Sequence, residues 1–293
     1  MVRMNMVLWL LLSIFFLFSS CKNDSVDKAP PPALSMPYSP GQPVAISAHR
    51  GGKLLDSMPE NSLETMDYLY RNGITMFEVD VNQAGDETLV LLHDKSLERT
   101  TTGADRLKNY SYRELRQFNL VDHQGVITPF KIPRLKDVLH WTGKRNEVVL
   151  QLDLKRAPLD DLAMALDSAQ VLDQVIIIAY SLSQALDIHQ KIPSVMLSVN
   201  MRNEKEFKTI MNSKLPKDRL IAFTGTRLSN PGLYQKIHEA GIKCILGTLG
   251  NLDRAGEKRN FEPSREYIDM GIDVLATDMP LKAYAAVGQL KTK

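Results

Sequence analysis

The sequence is poor in cysteine, with only Cys21 and Cys244 in 293 residues. Two thiols that far apart make neither a disulfide scaffold nor a cysteine cluster for zinc. A charge of one sign is also missing: Lys+Arg 36 against Asp+Glu 34 leaves a formal +2. Without a basic stripe, nucleic acid is excluded as an expected partner, and Lys214, Lys217 and Arg219 read as a solvated loop. No uninterrupted apolar run reaches the roughly 20 residues of a membrane-spanning helix. With 44% hydrophobic and 24% charged residues, the chain is neither a collagen, nor wholly disordered, nor a polytopic membrane protein. What remains is a globular chain about twice the usual ~150 residues of a domain, enough for two ordinary domains or one large α/β barrel.

The first twenty residues are not fold. Arg3 supplies a positive start, Met6 to Phe18 is apolar apart from Ser13, and Phe18-Ser19-Ser20-Cys21 puts small residues before a cysteine. This arrangement resembles a bacterial lipoprotein signal, although Phe18 stands where leucine is usual. The expectation is a signal peptide over 1–20, lipidation of Cys21 and a membrane anchor on the cell envelope, at the periplasmic face or the cell surface. The alternative is an ordinary signal peptide with an incidental cysteine. Residues 21–43 carry Pro30, Pro31, Pro32, Pro37, Pro40 and Pro43, the composition of an extended tether. Residues 44–293 form the body. Within it Cys244, in an apolar run, reads as a buried, inert thiol.

From Val44 onward short β-rich runs alternate with amphipathic stretches. The runs are Val44–Ala48, Met76–Val81, Thr88–Leu92, Val148–Leu154, Val175–Tyr180, Val195–Val199, Leu220–Phe223, Cys244–Leu246 and Asp273–Ala276. Helices are expected over Asn61–Tyr70, Arg134–Trp141, Leu159–Gln170, Leu182–Gln190, Glu204–Met211, Gly232–Ala240 and Ser264–Met270, several ending at glycine. Such alternation argues for a parallel α/β fold, and its length for a (β/α)8 TIM barrel. Nine runs exceed eight strands by one; Leu220–Phe223 or Cys244–Leu246 is the expected surplus. Thr100 to Lys131 has the weakest pattern and reads as an excursion over one face.

Three features carry chemistry. His49-Arg50-Gly51-Gly52 follows a strand and puts a proton-transfer group and a phosphate fork on permissive backbone. Glu78 and Asp80 are i and i+2 of a strand, so both carboxylates face one side. Paired carboxylates repel unless a proton or cation lies between them, and hard oxygen ligands favour Ca²⁺ or Mg²⁺. Asp153 and Lys155 repeat the geometry with one acid and one base, so Asp153 completes a three-carboxylate set. His93-Asp94 closes another run. Taken singly, each has a plainer reading: a structural histidine, acids on a solvent-facing edge strand, a surface ion pair worth little. Coincidence at strand ends, where barrels build their sites, favours chemistry.

The ordered series resembles the glycerophosphodiester phosphodiesterase family. His49-Arg50-Gly51, Pro59-Glu60-Asn61-Ser62, Glu78-x-Asp80, His93-Asp94 with Arg99-Thr100-Thr101 and Gly103, Ile132-Pro133-x-Leu135 and Thr277-Asp278-x-Pro280 match its motifs in order. The chain departs from the family in two places. Asp153-x-Lys155 stands where Glu-x-Lys is usual; the related sphingomyelinase D-type phospholipases also carry Asp there. Leu246-Gly247-Thr248-Leu249-Gly250-Asn251 replaces a Trp-Thr-Val-Asn strand end, removing an aromatic wall that Trp141, in an outer helix, cannot replace.

The resemblance implies cation-assisted hydrolysis of a small phosphodiester to glycerol 3-phosphate and an alcohol. Glu78, Asp80 and Asp153 would hold one Ca²⁺ or Mg²⁺, and Arg50 and Lys155 would neutralise the phosphate. His49 and His93 would share general acid and base work, and Glu60 would support the site. The first rival is a phospholipase D-like cleavage of lysolipids or sphingolipids that yields a cyclic phosphate. The second is a non-catalytic, lipid-anchored binding protein. The first predicts an apolar rim; the second predicts loss of a histidine or carboxylate, and none of those positions is lost. The oligomeric state is left open.

Overall fold

The structure, a computed structural model, describes residues 38–288. The expected signal peptide, Cys21 and most of the tether lie outside the described residues. Eight parallel strands close into a barrel: β1 (Ala45–Ala48), β2 (Met76–Gln83), β4 (Val149–Leu154), β5 (Val175–Ala179), β6 (Met196–Asn200), β7 (Leu220–Phe223), β8 (Lys243–Gly247) and β9 (Val274–Thr277). The order β1-β9-β8-β7-β6-β5-β4-β2 is sealed by a β1–β2 pairing. The expected barrel is therefore the one observed.

The expected surplus strand was misplaced. Leu220–Phe223 and Cys244–Leu246 are both barrel staves, and the extra strand is β3 (Leu89–Leu91), which runs antiparallel to the end of β2. A parallel neighbour needs a long crossover, whereas Gln83 and Leu89 are only a tight turn apart, so the chain has to fold back as a hairpin.

The helices are α1 (Leu63–Arg71), α2 (Tyr112–Leu115), α3 (Leu135–Thr142), α4 (Leu159–Ala169), α5 (Leu182–Lys191), α6 (Glu204–Met211), α7 (Pro231–Glu239), α8 (Asn251–Lys258), α9 (Pro263–Asp269) and α10 (Pro280–Gly288). The short α2, α8 and α10 were not anticipated. Helix α8 has only Leu252 and Ala255 as apolar side chains among polar and charged ones, and α10 is Ala-rich with little contrast between its faces. None of the described helices is long and apolar enough to cross a membrane.

Two apolar layers result from strand alternation. Met76, Val149, Ile176, Met196, Ile221 and Ile245 fill the barrel, while outward residues such as Phe77, Leu150 and Ile177 pack under the helices. Trp141 belongs to the outer layer, edge-on to Phe77, with its Nε1 donating to Asp67. The expected excursion exists and has its own small core, including Leu97, Leu107, Leu115 and Leu120. Cys244 is fully buried, and burial pushes its thiol well up, consistent with an inert residue. At the bottom of the barrel the incoming chain is docked: the Tyr38 N–H donates to the Gly241 carbonyl, and its ring stacks on His238 at 3.8 Å.

The turn after β1 depends on Gly52. Its φ is +119°, and a Cβ there would meet Leu69 Cδ1 and Thr65 Cγ2 of α1 at 2.8 Å. Gly52→Ala is expected to cost about 1–3 kcal/mol in denaturant unfolding; an unchanged midpoint would show that the turn tolerates a side chain.

Candidate active site

The strand register assembles the site. Ala48 pairs with Phe77, so His49 stands level with Glu78. Asp80 pairs with Asp153 across β2 and β4, at one height on the inner face. Oxygens of Glu78, Asp80 and Asp153 all lie within 4.8 Å of one another, and all three residues are buried. The edge-strand reading fails because β2 has barrel neighbours on both sides.

Burial first, then the charge of Asp80, pushes the Glu78 carboxyl well above its usual range. Lys155 partly neutralises the set: its Nζ lies 2.5 Å from Asp153 Oδ2 and 3.1 Å from Asp80 Oδ1. Burial works against that ammonium, but the charge of Asp80 and the Asp153 hydrogen bond outweigh it and raise its pKa. Asp153 Oδ1 is buried and accepts no hydrogen bond. A buried orphan oxygen beside two further carboxylates suits one hard cation, so this donor set fits Ca²⁺ or Mg²⁺.

His49 follows β1 in a short 3₁₀ turn in which Arg50 adopts φ 52°. That turn aims the Arg50 N–H at Glu78 Oε2, 2.8 Å away. His49 Nδ1 lies 2.6 Å from Asp278 Oδ1, leaving Nε2 3.8 Å from Glu78 Oε2. Burial opposes the Asp278 anion, yet the His49 hydrogen bond and the nearby cations hold its carboxyl below the usual range. A carboxylate on Nδ1 fixes the ring and leaves Nε2 for proton transfer.

The β2–β3 hairpin delivers His93. The Leu92 N–H donates to the Asp80 carbonyl, and Asn82 Nδ2 donates to the carbonyls of Leu92 and Asp94 on either side of the histidine. His93 Nδ1 lies 2.7 Å from Asp94 Oδ1. Arg99 then joins Asp94 to Glu60, which also receives Arg50 Nη1 at 3.0 Å. Desolvation opposes the Asp94 anion, but the Arg99 and His93 hydrogen bonds bring its pKa down to about 2. Glu60 therefore stands between two arginines, outside the carboxylate cluster.

Five residues escaped assignment from sequence. Asn61 and Asp278 sit inside recognised motifs without a stated role. Asn61 Nδ2 donates to Asp80 Oδ2 at 2.7 Å, and its Oδ1 accepts the Asp80 N–H, which ties the loop before α1 to the acids. Asp94 and Arg99 also belong to a matched motif. Tyr180, just past β5, donates to Asp153 Oδ2 at 2.5 Å and carried no signal beyond its place at a strand end.

Beside the carboxylates is a cavity of about 130 Å³, lined by Gln151, Ile178, Tyr180, Asn200, Phe223 and Leu249 among others. Its aromatic lining is Phe223 of β7 and Tyr180, just past β5. A larger groove of about 920 Å³, bounded by Tyr112, Arg134 and Met164, shares no residue with the acids or either histidine. The smaller space is the one that His49, Glu78 and Asp153 line.

Comparison with known proteins gives the family and the fold. The glycerophosphoryl diester phosphodiesterase family model matches residues 49–282. A glycerophosphodiester phosphodiesterase of Bacillus altitudinis is 26% identical over 164 residues, 53% of this chain and 65% of that protein. The chain thus spans just under two thirds of that relative. A glycerophosphoryl diester phosphodiesterase from Parabacteroides distasonis superposes with a TM-score of 0.80 at 28% identity, covering 87% of this chain and 90% of that one. A phosphodiesterase from Oleispira antarctica, solved with the product sn-glycerol-3-phosphate, shares the fold with a TM-score of 0.64 at 21% identity, over 83% and 96% of the two chains. By its ordered motifs, its barrel and this match over most of its length, the chain belongs to the glycerophosphoryl diester phosphodiesterase family of hydrolases.

Proposed function

We propose that the protein hydrolyses small glycerophosphodiesters to glycerol 3-phosphate and an alcohol with the help of one divalent cation. The observation that carries this is the cluster of three buried carboxylates, with His49 level with them and its Nδ1 held by Asp278. Glu78, Asp80 and Asp153 would hold Ca²⁺ or Mg²⁺, which supplies Lewis acidity toward a phosphate oxygen. Arg50 and Lys155 would counter the negative charge on the non-bridging phosphate oxygens, the arginine oriented by Glu60. His49 and His93, each with Nδ1 at an aspartate, offer Nε2 to take the nucleophile's proton and to return one to the leaving oxygen. Asp278 and Asp94 keep those rings in one tautomer and orientation. Phe223, Ile178 and Leu249 line the cleft beside the cluster with apolar surface.

A specific observation favours a second reading. Asp153 and the partly apolar cavity suit a phospholipase D-like cleavage in which a substrate hydroxyl attacks and a cyclic phosphate forms. The family match argues for the hydrolase, since the cavity of about 130 Å³ beside the acids shares Ala179, Tyr180 and Asn200 with a neighbouring groove of about 400 Å³ and its size alone favours neither substrate. A non-catalytic binding role leaves two aspartate-held histidines without purpose.

The envelope address belongs to the same proposal. It rests on residues 1–20 and Cys21, and the body from 44 onward would be tethered through the proline-rich segment.

The test uses the chain from Ser25 onward, stripped with chelator. Glycerophosphodiesters and lysolipids are followed by phosphorus NMR with Ca²⁺ or Mg²⁺ restored. Cation-dependent glycerol 3-phosphate is the expected product. A persistent cyclic phosphate from a lysolipid would establish the second reading, and no turnover with cation bound would leave binding as the function.

A further inference from the structure

We infer that Tyr180 is a positioning residue for the cation site, its phenol orienting the short carboxylate Asp153 so that one oxygen faces the cation. The inference rests on the cation-dependent reading above. Aspartate on this strand reaches about 1.5 Å less far than glutamate would. Its carboxylate also turns about a broad, nearly two-fold torsion, so hydrogen bonds decide where each oxygen points.

The two oxygens of Asp153 are used unequally. Oδ2 accepts from Tyr180 and from Lys155, each at 2.5 Å, while Oδ1 is buried with no hydrogen-bond partner. Lys155 alone is a poor locator. It is a rotatable point charge shared with Asp80, and its positive charge opposes a cation nearby. A phenol is planar, has two side-chain torsions and donates without bringing charge.

Tyr180 is held for the task by its backbone. Its N–H donates to Gln184 Oε1 at 2.9 Å, and its carbonyl accepts Asn200 Nδ2 at 3.1 Å. Ser181 then caps α5. The residue is 58% exposed, so burial of the ring is not what keeps it there. A large aromatic left half in solvent with its hydroxyl turned onto a buried acid is arranged around that hydroxyl.

The experiment is calorimetric titration of Ca²⁺ and of Mg²⁺ into chelated protein, needing no substrate, on four proteins: the unsubstituted chain, Tyr180→Phe, Asp153→Glu and the double variant. Tyr180→Phe is expected to weaken cation affinity about 10–100-fold, the usual effect of losing a hydrogen bond to a metal ligand. The chelated variant should melt with the parent. The double variant should recover most of the affinity, because the longer acid reaches the cation unaided. Unchanged or tighter binding by Tyr180→Phe would overturn the inference and make the ring only a wall of the cavity. Failure of the double variant to recover would overturn it as well. If the unsubstituted chain binds neither cation, the cation-dependent function falls together with the inference, an outcome distinct from the others.

Discussion

Replacing His49 or His93 by alanine is expected to lower kcat on a glycerophosphodiester about 10²–10⁴-fold, with the fold unchanged by circular dichroism. The magnitude follows from removing a positioned acid or base. Each imidazole is fixed by an aspartate at Nδ1, His49 by Asp278 and His93 by Asp94, so neither loop can readily offer a substitute. The cation and the arginines would remain, leaving a residual rate. KM should move much less than kcat, because the proton transfers belong to the transition state. The double variant is not expected to show the product of the two losses, since groups acting as a unit are not additive. Full activity in the double variant would remove both histidines from the mechanism.

Glu78→Gln is expected to separate stability from activity. Burial and the Asp80 charge raise the Glu78 carboxyl well above its ordinary range in cation-free protein. The folded chain then holds a proton that the unfolded chain releases near pH 4.3, an approximate reference value. The contribution of this group is therefore fully present below that pH and is lost as pH rises toward the elevated folded value. An amide never ionises and avoids the loss. In chelator at pH 8, Glu78→Gln should melt above the parent, roughly 2–4 °C for each kcal/mol regained in a domain of this size. The gap should close near pH 4. With cation restored, the variant should bind it at least about 10²-fold more weakly, since loss of even an indirect partner costs 10–100-fold. A variant that melts below the parent in chelator at pH 8 would contradict the repulsion assigned to the three acids.

The misassigned strand and the unassigned tyrosine show where pattern stopped being informative. Leu89–Leu91 looks like any other apolar run, because alternation along a segment says which residues share a face and nothing about the direction of its neighbour. Only the folded sheet shows that this run turns back on β2, with the Leu92 N–H on the Asp80 carbonyl and His93 next in the chain. Tyr180 lies 27 positions from Asp153 in sequence, and no local spacing relates them. Asp278 is 229 positions from His49 and meets it only because β9 pairs with β1. The loss of the tryptophan strand end was readable, but the meeting of Phe223 and Tyr180 beside the acids was not.

The sequence by itself determined the barrel class, the alternation of strand and helix and the acids of the cluster, but not which of the nine runs lies outside the barrel. Those follow from near neighbours: strand alternation puts Glu78 and Asp80 on one face, and eight βα units can bury their strands by closing a sheet. Tertiary structure alone decided which acid faces which, that Asp80 meets Asp153 in register, which aspartate holds each histidine, and that Asp153 keeps one oxygen free. Those contacts join residues far apart along the chain. Their geometry is set by strand register and ring closure, which no local run of residues specifies.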